Sequence, residues 1–127
     1  MKFRAWHKAD ERMLNVVGMN FESCEITYRT DRPSLGFASF KDIQLMQWTG
    51  LTDYKGNDIY LNDIVEFDID NACYTMIAQV IWHEDRCCFG VDVDDPYYIG
   101  DLLTPFKYGN GVVLGNIYEN PELLERK

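Results

Sequence analysis

The sequence predicts a mainly β protein, an SH3-like small barrel or roll with a small N-terminal β-containing subdomain. Two observations lead to this fold class. About five short apolar runs between residues 45 and 118 alternate with polar or acidic residues, and glycine or aspartate marks the turns between them. The chain has 127 residues, of which 46% are hydrophobic and 26% charged, as expected for one globular domain with an appended subdomain.

The N-terminal piece is predicted to be a β-hairpin. Phe3 and Ala5 alternate with Arg4 and Trp6, and a second apolar run at residues 13–17 ends at Gly18. Residues 26–28 are expected to pair with this hairpin, and a short helical turn is expected ahead of Ile43. A loop at residues 31–36 contains proline and glycine, so the subdomain is placed at residues 1–44 and the barrel at residues 45–127.

The barrel is predicted to begin with a strand at residues 45–49 and a tight turn at residues 53–58. Gly56 supplies the positive φ that such a turn requires. The next strand, residues 64–70, alternates acids with three residues expected to be buried: Val65, Phe67 and Ile69.

A hairpin follows, with strands at residues 74–82 and 87–94 and with Phe89, Val91 and Val93 pointing inward. Residues 112–117 form the closing strand, and Pro121 begins a final helical turn. Bulky aromatic residues are expected to fill the core of a barrel this small. Four are predicted there: Trp48, Phe67, Trp82 and Phe89.

Three blocks of the sequence resemble the YopX-type proteins of phages and prophages: residues 2–6, 45–65 and 115–124. The resemblance implies an SH3-type barrel in which residues 54–65 are the diverging turn and first core strand. The resemblance implies no activity, because the family is known mainly as small phage-encoded proteins that have no assigned activity. The chain departs from the family pattern at His7, where an acid is common, and at Leu61-Asn62, where Glu-Gly is usual.

The negative charge is concentrated in one segment. Residues 62–101 hold ten acids and only one base, Arg86, so this segment alone accounts for the formal net charge of −9. Such a segment repels phosphate backbones, because nucleic-acid binders present basic faces. The acids are either the solvent-facing positions of strands or an acidic face for a basic protein partner.

The second interpretation predicts a protein-binding site, for which a host or phage protein is the expected partner. Tyrosines next to a proline in a loop are typical of interfaces, so the predicted residues combine acids and tyrosines: Asp92, Asp94, Asp95, Tyr97 and Tyr98. The alternative function is nucleic-acid binding by the basic residues of the N-terminal hairpin, Arg4, Lys8 and Arg12. Homo-oligomerisation through an exposed edge strand stays open.

Two patterns contain residue types that could carry chemistry, but neither predicts a site. His83 lies near Cys87 and Cys88, but adjacency in a hairpin explains that placement, and neighbouring strand residues point to opposite faces. Asp92, Asp94 and Asp95 carry oxygen ligands for a divalent metal, yet their spacing does not form a calcium loop. The sequence has no phosphate-binding or dinucleotide-binding glycine motif. No enzyme activity, cofactor or metal is therefore expected.

The same sequence predicts a cytoplasmic protein of the host bacterial cell. The N-terminal residues turn polar after Trp6, and no apolar run reaches membrane-spanning length. The four cysteines have no CxxC spacing, which is consistent with reduced thiols. No membrane partner is expected.

Overall fold

A computed structural model of the protein describes residues 1–69, 74–93 and 111–125. Packing divides the chain into two compact units, Met1–Trp48 and Thr49–Lys127. The predicted mainly β class is confirmed, because the described residues form ten β-strands and two short 3₁₀ turns. Within these residues, no helix is long and apolar enough to span a membrane.

The first unit is an antiparallel sheet with the strand order β4-β3-β2-β1-β5. Its elements are β1 (Phe3–His7), β2 (Arg12–Asn20), β3 (Glu25–Tyr28), β4 (Gly36–Ser39), a 3₁₀ turn (Phe40–Asp42) and the first part of β5 (Ile43–Thr52). The predicted hairpin, the pairing of β3 with it and the turn before Ile43 are all confirmed. One face of the sheet carries the core of this unit: Ala5, Leu14, Ile26, Ala38 and Ile43.

The second unit contains the end of β5, its neighbour β6, and a four-stranded antiparallel sheet with the order β10-β7-β8-β9. Its remaining elements are β6 (Asp58–Tyr60), β7 (Asp63–Ile69), β8 (Tyr74–His83), β9 (Cys88–Val91), β10 (Gly111–Asn116) and a 3₁₀ turn (Pro121–Glu125). Because β9 and β10 are the edges of this sheet, its described strands form an open sheet rather than a closed barrel.

The core of the second unit lies on one face of its sheet. Val65, Phe67 and Val91 are buried there as predicted, together with Ile59, Ala78 and Val80. Phe89 and Val93 are partly buried and pack against this cluster. The side chain of Ile69 lies outside the described part of the structure.

Trp82 corrects a prediction, because its side chain is 46% exposed rather than part of the core. It does follow the core face of β8, since it comes two residues after buried Val80. However, Trp82 lies one residue before the end of the strand, beyond the last buried pair, Val80 and Val91. Trp48, the other tryptophan predicted in the core, is half-buried.

Candidate functional site

The predicted turn after β5 is confirmed and is held by one buried carboxylate, Asp53. Its Oδ1 accepts hydrogen bonds from the backbone N–H groups of Lys55 (3.0 Å) and Asn57 (2.9 Å). Its Oδ2 accepts from the Asn57 side chain and from the backbone N–H of Val113 (3.0 Å) in β10. Gly56 has φ +86°, as the turn requires.

These contacts set the charge state of Asp53. Burial raises the pKa of the carboxyl, but the hydrogen bonds from Val113, Asn57 and Lys55 outweigh burial, so the net pKa lies below its ordinary value. The carboxylate is therefore ionised at neutral pH and works as a structural acceptor that joins the turn to β10.

Asn62 occupies the position where the resembling family usually has glycine, and the structure explains how the backbone tolerates it. Its φ of +71° is left-handed, a conformation that asparagine accepts more readily than most residues. The backbone N–H donates to Val80 and the carbonyl accepts from Ile117. The side-chain amide donates to the Tyr118 hydroxyl (3.2 Å) and accepts from Gln79 (3.1 Å). Asn62 thus links its own loop to β8 and to the segment that follows β10.

The C-terminal block of the resemblance forms a turn built from two asparagines. Asn116 Oδ1 accepts hydrogen bonds from the backbone N–H groups of Tyr118 (3.0 Å) and Glu119 (2.9 Å). Asn120 Oδ1 accepts from the Asn116 N–H (3.3 Å), and a Cβ on Gly115 would overlap the Asn120 side chain. These motif residues, like Asp53, maintain the fold.

The candidate surface is the face of the second sheet opposite its core, which we call the acidic face: Glu66, Asp68 and Asp92. Glu66 and Asp68 lie on β7 opposite Ile77 and Thr75, and the Thr75 hydroxyl donates to Asp68 Oδ1 (2.9 Å). Asp92 is exposed, and its N–H donates to the Gln79 carbonyl (2.9 Å), so the chain continues the pairing with β8 at this residue.

The acidic face belongs to a unit that carries all of the protein's net charge. Met1–Trp48 has seven bases and six acids, a formal charge of +1. Thr49–Lys127 has five bases and fifteen acids, a formal charge of −10. The concentration of acids found in the sequence is therefore a property of one folded unit.

Only one of the five predicted protein-binding residues, Asp92, lies in the described part of the structure, and it is exposed. Asp94, Asp95, Tyr97 and Tyr98 lie outside the described residues. Glu66 and Asp68 belong to the acidic segment 62–101 but not to the predicted binding site. The alternation of acids with buried residues along β7 was the signal that identifies them.

The predicted basic residues do not form one face of the N-terminal hairpin. In the β1–β2 pairing, Arg12 is opposite His7, so the two side chains share a face of the sheet. His7 is three residues from Arg4 on β1, and residues an odd number apart on a strand point to opposite faces. Arg4 and Arg12 therefore lie on opposite faces. Lys8 Nζ donates to the Lys41 carbonyl (3.2 Å), and Arg12 Nε lies 3.5 Å from Asp10 Oδ2. The three cations are therefore not assembled into one basic surface.

The histidine and cysteine residues are arranged by the β8–β9 hairpin. His83 is directly opposite half-buried Cys88, whereas Cys87 is exposed in the loop. Among the described residues, no group of three histidine, cysteine or acidic side chains is placed to hold a metal ion. The proximity of His83 to these cysteines thus follows from strand pairing.

Comparisons with known proteins agree with this fold. The family described as YopX protein matches residues 2–125 of the chain. The structure is similar to protein EF1440 from Enterococcus faecalis (TM-score 0.61, 26% identity, 97% of this chain and 96% of that chain covered). It is also similar to protein yopX from Bacillus subtilis (TM-score 0.66, 22% identity, 97% of each chain covered). No curated protein matches the sequence. Because the family match spans nearly the whole chain, this protein belongs to the YopX family.

Proposed function

We propose that this protein is a non-catalytic binding module that engages a protein partner through the acidic face of its second unit. The observation that carries the proposal is the formal charge of −10 on Thr49–Lys127, with Glu66, Asp68 and Asp92 placed away from the core. Complementary charge steers association and selects among partners. The partner is therefore a protein with a basic surface, from the host bacterium or from a phage.

The proposed compartment is the bacterial cytoplasm. Cys24, Cys87 and Cys88 are free thiols in the described part of the chain, as expected where glutathione and thioredoxin keep cysteines reduced. The predicted loop residues Asp94, Asp95, Tyr97 and Tyr98 belong to the same proposal, because they lie shortly after Asp92 in the sequence.

Affinity capture from a bacterial lysate, with and without nuclease, tests the proposal. The wild type is compared with a triple charge reversal, Glu66→Lys, Asp68→Lys and Asp92→Lys. A matched control reverses three exposed acids of the first unit: Glu11→Lys, Glu22→Lys and Asp31→Lys. We expect a nuclease-resistant partner that the acidic-face variant loses and the control variant retains. Equal capture by both variants would rule out the acidic face.

Nucleic-acid binding through Arg4, Lys8 and Arg12 is the competing function, and the same experiment evaluates it. Binding of that kind would disappear on nuclease treatment and would fall steeply with salt concentration. It would also be lost when these three residues are replaced, whereas the acidic-face variant would bind more tightly.

A further inference from the structure

The β8–β9 hairpin exposes a pair of aromatic residues at its end. Trp82 is directly opposite Phe89, and their rings meet edge to face with a centroid separation of 5.0 Å. Trp82 is 46% exposed, although it lies on the same side of β8 as the core. Only four residues, 84–87, connect the two strands.

Among the described residues, the core next to Trp82 is already packed without the exposed part of its side chain. The next pair along the hairpin, Val80 and Val91, is fully buried, and Phe89 already packs against that cluster. When a partner covers a large aromatic side chain that was partly in water, the buried apolar area stabilises the complex by roughly 25 cal/mol per Å². Tryptophan is also the residue type most often found to dominate binding energy at interfaces.

The charge around this pair indicates which kind of partner would cover it. Glu84, Asp85 and Arg86 are exposed in the loop that follows Trp82, so the loop has a formal charge of −1, and the whole unit has a formal charge of −10. A lysine or arginine side chain binds favourably over an indole ring, and neighbouring carboxylates add attraction for the same cation. A phosphate backbone would meet repulsion here.

We propose that Trp82, which lies on the opposite side of β8 from the acidic face, is a second contact with the partner and receives a lysine or arginine side chain from a basic segment of it. Phe89 supports the indole ring from one side, and Glu84 and Asp85 attract the cation. We call these four residues the hairpin tip. The inference depends on the proposed protein-binding function, for which it names a contact residue and the chemistry of the partner segment.

Nuclear magnetic resonance of protein containing isotope-labelled tryptophan tests this directly, with a short peptide of alternating arginine and glycine as the probe. The Trp82 indole resonance is assigned by its absence in Trp82→Phe. We expect a saturable shift of this resonance on titration with the peptide. A peptide of alternating glutamate and glycine is the control and should produce no shift.

Variants then measure the contribution of the tip. Replacing Trp82→Ala should weaken binding of the arginine peptide about five-fold to ten-fold, the range expected for an exposed cation–π contact with added burial. Tyr54→Ala is the matched control, because Tyr54 is 62% exposed in the same unit and already has Lys55 Nζ 5.7 Å from its ring centroid. The pair Glu84→Gln and Asp85→Asn should weaken binding and reduce its salt dependence.

Three results would overturn the inference. One is a Trp82 resonance that stays unchanged in the wild-type protein up to the highest concentration of arginine peptide. This result does not depend on whether any variant folds. Another is equal weakening by Trp82→Ala and Tyr54→Ala. The third is a Trp82 shift that follows protein concentration without peptide, which would assign the hairpin tip to a contact between copies of the chain.

Lysate capture separates failure of this inference from failure of the proposed function. If Trp82→Ala captures the partner as well as the wild type while the acidic-face variant loses it, the acidic interface stands and the hairpin tip is not its contact. If no variant or wild-type protein captures a partner, the proposed function itself fails.

Discussion

Asp53 and Asn62 show how single polar side chains hold the turns of the second unit. Each sits in a loop between strands, and each makes hydrogen bonds to another part of the chain. Hydrogen bonds to a buried carboxylate are stronger than those between neutral groups, and removing one partner leaves the others unsatisfied. Both residues are therefore expected to contribute more to stability than their exposed neighbours.

We expect Asp53→Asn to lower the free energy of unfolding by about 1–3 kcal/mol at neutral pH, because an amide places a donor against backbone donors. Since the folded-state pKa of Asp53 lies below the ordinary 3.8, the stabilisation is present above that value and is lost as pH falls through the lower folded-state pKa. The difference between wild type and variant should therefore narrow in acid. Urea unfolding at several pH values measures it.

Asp85→Asn is the control for this experiment, because Asp85 is an exposed acid in a loop of the same unit. It should change the free energy of unfolding by less than about 0.5 kcal/mol at neutral pH. A difference between wild type and Asp53→Asn that stays constant from neutral to acidic pH would contradict the assignment of Asp53 as an ionised acceptor.

For Asn62, two substitutions separate backbone strain from lost hydrogen bonds. Asn62→Gly keeps the freedom to adopt φ +71° and loses only the side-chain bonds to Tyr118 and Gln79, so we expect a loss of about 1 kcal/mol. Asn62→Ala adds the cost of a left-handed backbone, about another 1 kcal/mol. In urea unfolding, Asn62→Ala should have a lower free energy of unfolding than Asn62→Gly. Equal losses of free energy in the two variants would show that backbone strain at this residue is unimportant.

At the level of elements, the structure accounts for which strands the sequence predicted. β7 is predicted because acids alternate with valine, phenylalanine and isoleucine, and in the structure half-buried Glu66 and Asp68 flank buried Phe67. β4 was missed because Gly36–Ser39 is four residues long and has no β-branched residue. Its pairing with β3 is a tertiary effect, in which the Tyr28 ring occupies the space above Gly36.

The C-terminal turn provides a test at this scale. We expect Gly115→Ala to lower the melting temperature, because the added methyl group would overlap the Asn120 side chain and displace it from the Asn116 N–H. Adding Asn120→Ala to Gly115→Ala should restore part of the loss, since the overlap disappears. Calorimetry on the two single variants and the double variant measures this coupling. Strictly additive losses would argue against the overlap.

For the whole molecule, the uneven charge distribution has consequences for stability as well as binding. The second unit carries a formal charge of −10, so its acids repel one another when the unit is compact.

The candidate site was predictable from sequence only in part. The acidic character is visible in composition, but the β1–β2 register that separates Arg4 from Arg12 is not. Trp82 is predicted in the core because a small barrel needs bulky aromatic residues, although the predicted strand 74–82 already ends at this residue.

We expect the melting temperature to rise when NaCl is increased from about 0.02 M to about 0.2 M, because salt screens the repulsion between the acids. The double variant Glu66→Gln and Asp68→Asn should show a smaller rise than the wild type. Thermal unfolding monitored by circular dichroism measures both slopes. A melting temperature that falls with salt in the wild type would mean that attractive ion pairs outweigh the repulsion.

The bond from Val113 to Asp53 also affects how the protein folds. The two residues are 60 positions apart in the chain, and β10 pairs with β7 across a similarly long separation. Contacts between distant residues form slowly, because the entropy of closing a long loop is lost before the contact stabilises the chain. During synthesis, the turn at Asp53 leaves the ribosome well before its partner in β10. The sheet of the second unit therefore completes its pairing only after β10 has emerged.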